Sequence, residues 1–324
     1  MILLLFPLLT LQLSNDRHHT TAQKSLLLGL VISLLYALYQ FFNIGVSSWS
    51  GQRIGSFWDI GRWAEILGYT IALLIPFLYE SSLGLRKRLA LISILMLSLT
   101  CLVLSGGRGP LLAVSISISI YLLLRSPKSL LFILVFILSI ATLLSDNYFI
   151  IYITERIESI FNISSQLSNT SRIIMWEKGV DFIKYNASNS MESLLFGVGI
   201  DSFEHAYHSF LRTTDSYNLL VASGKFDFSL TDMHNTYLDL ALKLGVLYAA
   251  LFVLFLACLF WVFYRNRHLR PDFAYSGAVL VTTYSITAIF YTSGIEFQLT
   301  VFLSLVALCY SKILCCSEKK NEKP

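Results

Sequence analysis

Eight apolar runs, near residues 25–47, 63–80, 89–105, 111–124, 129–145, 235–263, 273–291 and 297–314, leave this chain little choice of solvent. Roughly 20 apolar residues cross a bilayer as a helix, because in lipid every backbone N–H and C=O must be satisfied within the segment itself. Only 14% of the 324 residues are charged and 55% are hydrophobic, whereas a soluble domain carries about 25% charged residues. With a mean hydropathy of +0.66, the chain has no polar shell to turn toward water. The runs between 63 and 145 are short for full spans and are expected to extend into their flanks. Ile2–Leu13 has no basic region before it and no small-residue cleavage site, so it reads as a partial or tilted first helix, or as the remnant of a longer N-terminal region, rather than a secretory signal. The prediction is an all-α polytopic transmembrane bundle of about nine spans with one large extracytoplasmic loop domain.

Orientation follows from lysine and arginine in the short connections. Arg86-Lys87-Arg88, Arg125 with Lys128, Arg265 with Arg267 and Arg270, and Lys319-Lys320 fall on one side if each run crosses once. That side is expected to be the cytoplasm, which puts the connections 48–62, Gly106–Pro110, 146–233 and Thr292–Glu296 outside. The net charge of +4 is spread over these helix-end clusters. No basic stripe runs along one face, so a nucleic-acid partner is excluded. Cys101, Cys258, Cys309, Cys315 and Cys316 lie in apolar segments or the tail without CxxC spacing, and read as small hydrophobes rather than disulfides or metal ligands.

The expected organisation is therefore N-terminal helices over 1–145, an extracytoplasmic catalytic loop over 146–233, and C-terminal helices with a cytoplasmic tail over 234–324. The loop holds eleven of the twenty acidic residues, among them Asp146, Glu155, Asp215, Asp227 and Asp232. Loops of that length without a role are uncommon in compact proteins. Within it, Ile173, Trp176, Val180 and Ile183 recur at helical spacing, which fits a helix lying on the bilayer or one packed on the loop's own core. Thr170 or Ser171 is expected to cap that helix.

Three positions in outside segments carry candidate chemistry. Arg108 stands in Ser105-Gly106-Gly107-Arg108-Gly109-Pro110. There glycines let the backbone approach an anion and the guanidinium offers a rigid fork to phosphate, unless it only snorkels at a helix end. Arg172 follows Thr170-Ser171 at the expected helix start, where free N–H groups and the helix dipole favour an anion. His234 stands where the loop returns to the membrane, two residues after Asp232, and can exchange a proton near neutral pH.

Other positions are weaker. Gly197-Val198-Gly199 lacks the third glycine of a dinucleotide site. His205 and His208 have a spacing that suits metal ligands but is common. Asp239 and Lys243, four residues apart, read either as an ion pair or as the lining of a polar cavity below His234. Asn162, Asn169 and Asn186 match glycosylation acceptors of the kind that arise by chance in polar loops.

In order and spacing these segments resemble the O-antigen ligase and O-antigen polymerase superfamily. The likeness rests on Ser105-Gly-Gly-Arg108-Gly109, on Arg172…Trp176…Gly197-Val198-Gly199…Phe203, and on His234-Asn235…Leu244-Gly245. It covers roughly 95–260. Lys243 stands where members often carry glutamate, and Tyr248-Ala249 where a second glycine usually follows. The resemblance implies a metal-independent, inverting glycosyltransferase in a bacterial inner membrane, with no cofactor. His234, Arg172 and Arg108 would be catalytic; Ser105, Gly107, Gly109, Trp176, Gly197, Gly199 and Asn235 would bind substrate. It further implies an undecaprenyl-diphosphate-linked glycan as donor, lipid A–core or another lipid-linked glycan as acceptor, and a chain-length regulator as partner. The differing last motif tilts the reading toward a polymerase. A transporter of polysaccharide or lipid-linked sugar is the competing class. It would place paired polar residues in mid-membrane and break helices with glycine and proline, whereas the acidic residues here concentrate in the loop.

Overall fold

The computed structural model of the chain describes residues 4–45, 49, 51–143, 151, 154, 158, 167–214, 229–293 and 297–321. Asp146, Glu155, Asp215, Asp227, the acceptor Asn162 and the 294–296 part of the last outside connection lie beyond those residues. Among the described residues every regular element is helical and none is a strand. Seven helices are long and apolar enough to cross a membrane. They are α2 (Asp16–Ile44), α3 (Ile60–Glu80), α4 (Leu85–Ser105), α5 (Arg108–Arg125), α11 (Val246–Arg265), α12 (Pro271–Phe290) and the Gln298–Cys316 part of α13 (Gln298–Asn321). Helices α1 (Leu5–Leu13) and α6 (Pro127–Leu143) are shorter, with 9 and 17 residues. Four further helices are polar: α7 (Leu167–Asn189), α8 (Met191–Phe196), α9 (Phe203–Arg212) and α10 (Thr236–Lys243). The chain is thus a multi-pass membrane protein.

Two compact units divide these elements, one over 1–156, 259–287 and 294–324, the other over 157–258 and 288–293. The first unit is organised around α3. Asp59 caps it, accepting from Arg62 N at 2.9 Å. Trp63, Leu67 and Ile71 are buried against Leu34 and Ala37 of α2, Leu102 and Leu104 of α4, and Val114 of α5. On its other flank Ser276 Oγ donates to Leu73 O at 2.7 Å and ties α3 to α12. In lipid, close packing and such interhelical bonds hold helices together, because tails are as apolar as the side chains they touch. Gly277 serves that closeness: a Cβ there would lie 2.3 Å from the buried Phe263 ring.

The contacts at the two ends of this unit differ. At one end Arg125 pairs with Glu80 at 2.7 Å, Arg270 pairs with Asp272 at 2.9 Å, and Lys312 pairs with Asp16. At the other, Ile54 N donates to Leu104 O at 3.2 Å and the Arg62 guanidinium lies 5.9 Å from the Phe297 ring. That second end therefore gathers the segment 51–59, the turn between α4 and α5, and the start of α13.

The second unit has its own core, made by Phe182, Phe203, Tyr207, Phe210, Leu211, Met233 and Leu242. Helix α7 presents Ser171, Met175, Gly179, Phe182 and Asn186 as its buried stripe. Ile173 and Val180, two of the apolar positions marked by their spacing, are exposed at 37% and 43%. The helix therefore packs on its own unit through a smaller, more polar stripe. A Cβ on Gly179 would meet Leu238 Cδ2 at 2.8 Å, so a larger residue there would make the Leu238 side chain shift. The start of α7 also differs from expectation. Thr170 and Ser171 lie within Leu167–Asn189 rather than capping it, which removes the helix N-terminus from Arg172.

Candidate functional site

Helix α4 ends at Ser105 and α5 begins at Arg108, leaving two glycines to reverse the chain. Gly106 takes left-handed backbone with φ 64, a conformation that glycine adopts without a side-chain clash. Gly107 is pressed onto α3, where a Cβ would stand 2.4 Å from Ala64 Cβ. Ser105 is buried and spends its hydroxyl on the turn, donating to Leu102 O at 2.7 Å and accepting from Gly107 N at 3.2 Å. Gly109 and Pro110 are buried in the first turn of α5 and Arg108 is half-buried. The N-cap of α5 is Gly107, which has no side chain to cap with.

In the second unit the chain approaching α10 is clamped from several directions. Trp176 Nε1 donates to Met233 O at 2.9 Å, and Met233 N donates to Asp239 Oδ1 at 3.3 Å. Asn235 caps α10, accepting from Leu238 N at 3.0 Å. Thr236 binds Tyr291 O twice, from its amide at 3.1 Å and from its hydroxyl at 2.7 Å. Between these anchors His234 is held at φ 46, a left-handed setting unusual for a residue with a side chain.

That backbone brings the imidazole onto Asp232. His234 Nδ1 lies 3.0 Å from Asp232 Oδ1, which also accepts from His234 N at 2.9 Å and from Thr292 Oγ1 at 3.4 Å. An ionised carboxylate can only accept, so this contact puts the imidazole proton on Nδ1 and leaves the Nε2 lone pair as the basic position. Arg172 reaches the same neighbourhood, its guanidinium 5.5 Å from the centre of the Tyr291 ring. Tyr291 and Thr292 thus join Arg172 to His234 through consecutive residues. Arg108 belongs to the other unit.

The glycine pair Gly197 and Gly199 meets the end of α10. Val198 N donates to Leu242 O at 3.2 Å and Gly199 N to Lys243 O at 2.9 Å. A Cβ on Gly197 would lie 2.3 Å from Lys243 O, and one on Gly245 2.1 Å from Leu195 O, so the two backbones cross with no side chain between them. Lys243 and Asp239 form an ion pair at 2.8 Å, one of the two readings of their spacing. Burial pushes the Asp239 carboxyl up from its ordinary range, and Lys243 pulls it back only in part. His205 and His208 both lie on α9, and among the described residues no three His, Cys, Asp or Glu side chains gather as a metal would require.

The family model for O-antigen ligase matches residues 92–253, half of the chain. The chain belongs to the O-antigen ligase family. No curated protein matches it at a significant level. Membership makes this, at a coarse level, a glycosyl-transferring membrane protein of surface-polysaccharide assembly. The O-antigen ligase match takes in Ser105–Gly109, Arg172, Trp176, Gly197, Gly199 and His234 with Asn235, and ends before Tyr291.

Several residues of the site carried little or no signal in the sequence. Asp232 sits two positions before the histidine, close enough to be noticed but not to be assigned. Tyr291 and Thr292 are more than fifty positions from Thr236 and Asp232, and no periodicity links them. Trp176, a candidate substrate residue, donates its indole N–H to Met233 O.

Proposed function

We propose that the protein transfers a glycan from an undecaprenyl-diphosphate carrier to an acceptor hydroxyl at the outer face of a bacterial inner membrane, with inversion at the anomeric carbon. The observation that carries this reading is the His234–Asp232 contact at 3.0 Å beside Arg172. The acceptor oxygen attacks the anomeric carbon from the face opposite the phosphate. The carbon–oxygen bond to the diphosphate breaks, the acceptor proton passes to His234 Nε2, and Asp232 stabilises the imidazolium that results. The leaving lipid diphosphate gathers negative charge, and Arg108 and Arg172 neutralise it, the task a divalent metal performs in other transferases. In the first unit Ser105, Gly107 and Gly109 shape the turn that carries Arg108, and in the second Trp176, Gly197, Gly199 and Asn235 shape the backbone around His234 and Arg172.

On this reading α1 and α6 complete about nine crossings, the segment 146–233 is outside, and the acceptor is a second lipid-linked glycan, with a chain-length regulator as partner. Complementation tests it. In a polymerase-null and a ligase-null strain, the wild-type gene restores the polysaccharide ladder of the first, and His234→Ala, Arg172→Ala and Arg108→Ala restore neither. Full ladders from all three variants would overturn the assignment, and rescue of the ligase-null strain alone would make lipid A–core the acceptor.

A further inference from the structure

We propose that the C-terminal end of α8 and the turn after it form a membrane-inserting edge of the second unit, seated in the leaflet where α11 enters the bilayer, whatever reaction the polar unit performs. The level of that leaflet is fixed by α11 itself. The helix has 20 residues, about 30 Å at 1.5 Å per residue, which matches the hydrocarbon thickness of a bilayer. Lys243 and Arg265 bracket it, and the sequence places no charged residue between them. Sliding the helix by one turn either way would draw one of those charges into hydrocarbon. Val246 therefore stands at the lipid boundary.

Helix α8 is held at that same level. A Cβ on Gly245 would lie 2.1 Å from Leu195 O and 2.5 Å from Phe196 N, so the last turn of α8 touches the residue just before Val246. Phe196 is exposed at 63% and Ile200 at 54%, and Leu195 and Met191 are exposed as well. Val246, Leu247 and Leu251 of the spanning helix α11 are exposed too, as lipid-facing residues are. The apolar residues of α8 thus continue, through the Gly245 contact, a surface that lipid already covers. Large apolar side chains held at this depth leave water for the boundary between headgroups and acyl chains. Glu192 and Asp201 are exposed beside them, and Glu192 lies one turn before Phe196 on the same side of α8. Those carboxylates stay with headgroups and water, so α8 enters by its C-terminal end, with Phe196 deeper than Met191. With acidic flanks, apolar burial carries the insertion and attraction to anionic lipid does not.

Photocrosslinking tests the edge in the full-length protein. The photoreactive residue p-benzoylphenylalanine replaces Phe196, Ile200, Met191, His205 or Leu251 in turn, and each protein is illuminated in intact cells and in phosphatidylcholine nanodiscs. All five positions are exposed, so the replacements leave the packed core untouched. Leu251 on a spanning helix and His205 on the polar helix α9 set the two ends of the scale. Phospholipid adducts, read by mass spectrometry, should form at Phe196 and Ile200 within about three-fold of Leu251 and about ten-fold above His205, as insertion at the boundary implies. Met191 should give fewer than Phe196. Adducts at Phe196 and Ile200 no more frequent than at His205 would place the edge in water and overturn the proposal. Crosslinks from Phe196 to a protein, a second copy included, without lipid adducts would overturn it in favour of a protein interface.

Discussion

The imidazole of His234 and the carboxylate of Asp232 meet at 3.0 Å across a two-residue step, which the backbone allows only because His234 adopts φ 46. The carboxylate fixes the tautomer, and the geometry fixes the carboxylate.

Replacing Asp232 with Asn keeps the size of the side chain but lets its amide donate toward the ring, so the basic lone pair is no longer assured at Nε2. Transfer by Asp232→Asn should fall by about 10²-fold or more, the range for a mispositioned general base. Donor binding should change little. Turnover of lipid-linked donor by purified protein, separated into kcat and KM, checks this, and an unchanged kcat would remove Asp232 from the mechanism.

The glycines of the 197–199 pair should respond differently to the same change. Gly197→Ala sets a methyl 2.3 Å from Lys243 O at φ +77, whereas Gly199→Ala, at φ +87, meets nothing among the described residues nearer than Ser202 Oγ at 3.9 Å. Left-handed strain alone costs on the order of 1 kcal/mol, and backbone overlap adds to it. Thermal unfolding in detergent should therefore rank Gly197→Ala clearly below Gly199→Ala, with wild type highest.

Asp239 predicts a pH signature. Its carboxyl is raised on folding, so the unfolded chain releases this proton at lower pH than the folded one does. The stabilisation is complete below the unfolded carboxyl's pKa and is lost as pH rises through the higher folded value. Asp239→Asn cannot titrate. The stability difference between wild type and Asp239→Asn should thus shift against wild type as pH rises through that window, measured as melting temperature against pH; parallel curves would contradict it.

Trp176→Phe keeps an aromatic ring and deletes the bond to Met233 O. A hydrogen bond of this kind contributes about 1 kcal/mol, so the fold should survive while the segment before His234 loosens. Transfer activity should drop more than stability does, read from ladder length in cells and unfolding in vitro.

Much of the membrane part was legible in the sequence because lipid imposes one rule on every span, and runs such as 89–105 and 273–291 obey it; the run 235–263 is instead broken into α10 and α11 at Leu244-Gly245. The signature residues were legible as types in order. The face of α7 was not. Of the stripe marked by its spacing, Ile173 and Val180 are exposed and Trp176 and Ile183 half-buried, while the buried stripe carries Ser171, Met175, Gly179, Phe182 and Asn186. Hydrophobicity alone does not register the three small or polar members of that stripe. The Thr236–Tyr291 bonds were invisible for a different reason: they join segments far apart in the chain through a backbone carbonyl, which every residue owns.

The crossing of Gly197 over Gly245 has a mechanical meaning. With bare backbone on both sides and hydrogen bonds from the Val198 and Gly199 amides to Leu242 O and Lys243 O, the joint has no side chain to slide or re-rotamer. It acts as a rivet, so a displacement of α8 is passed undamped to the first turn of α11. A polysaccharide pulling on the polar unit would tug directly on a membrane helix.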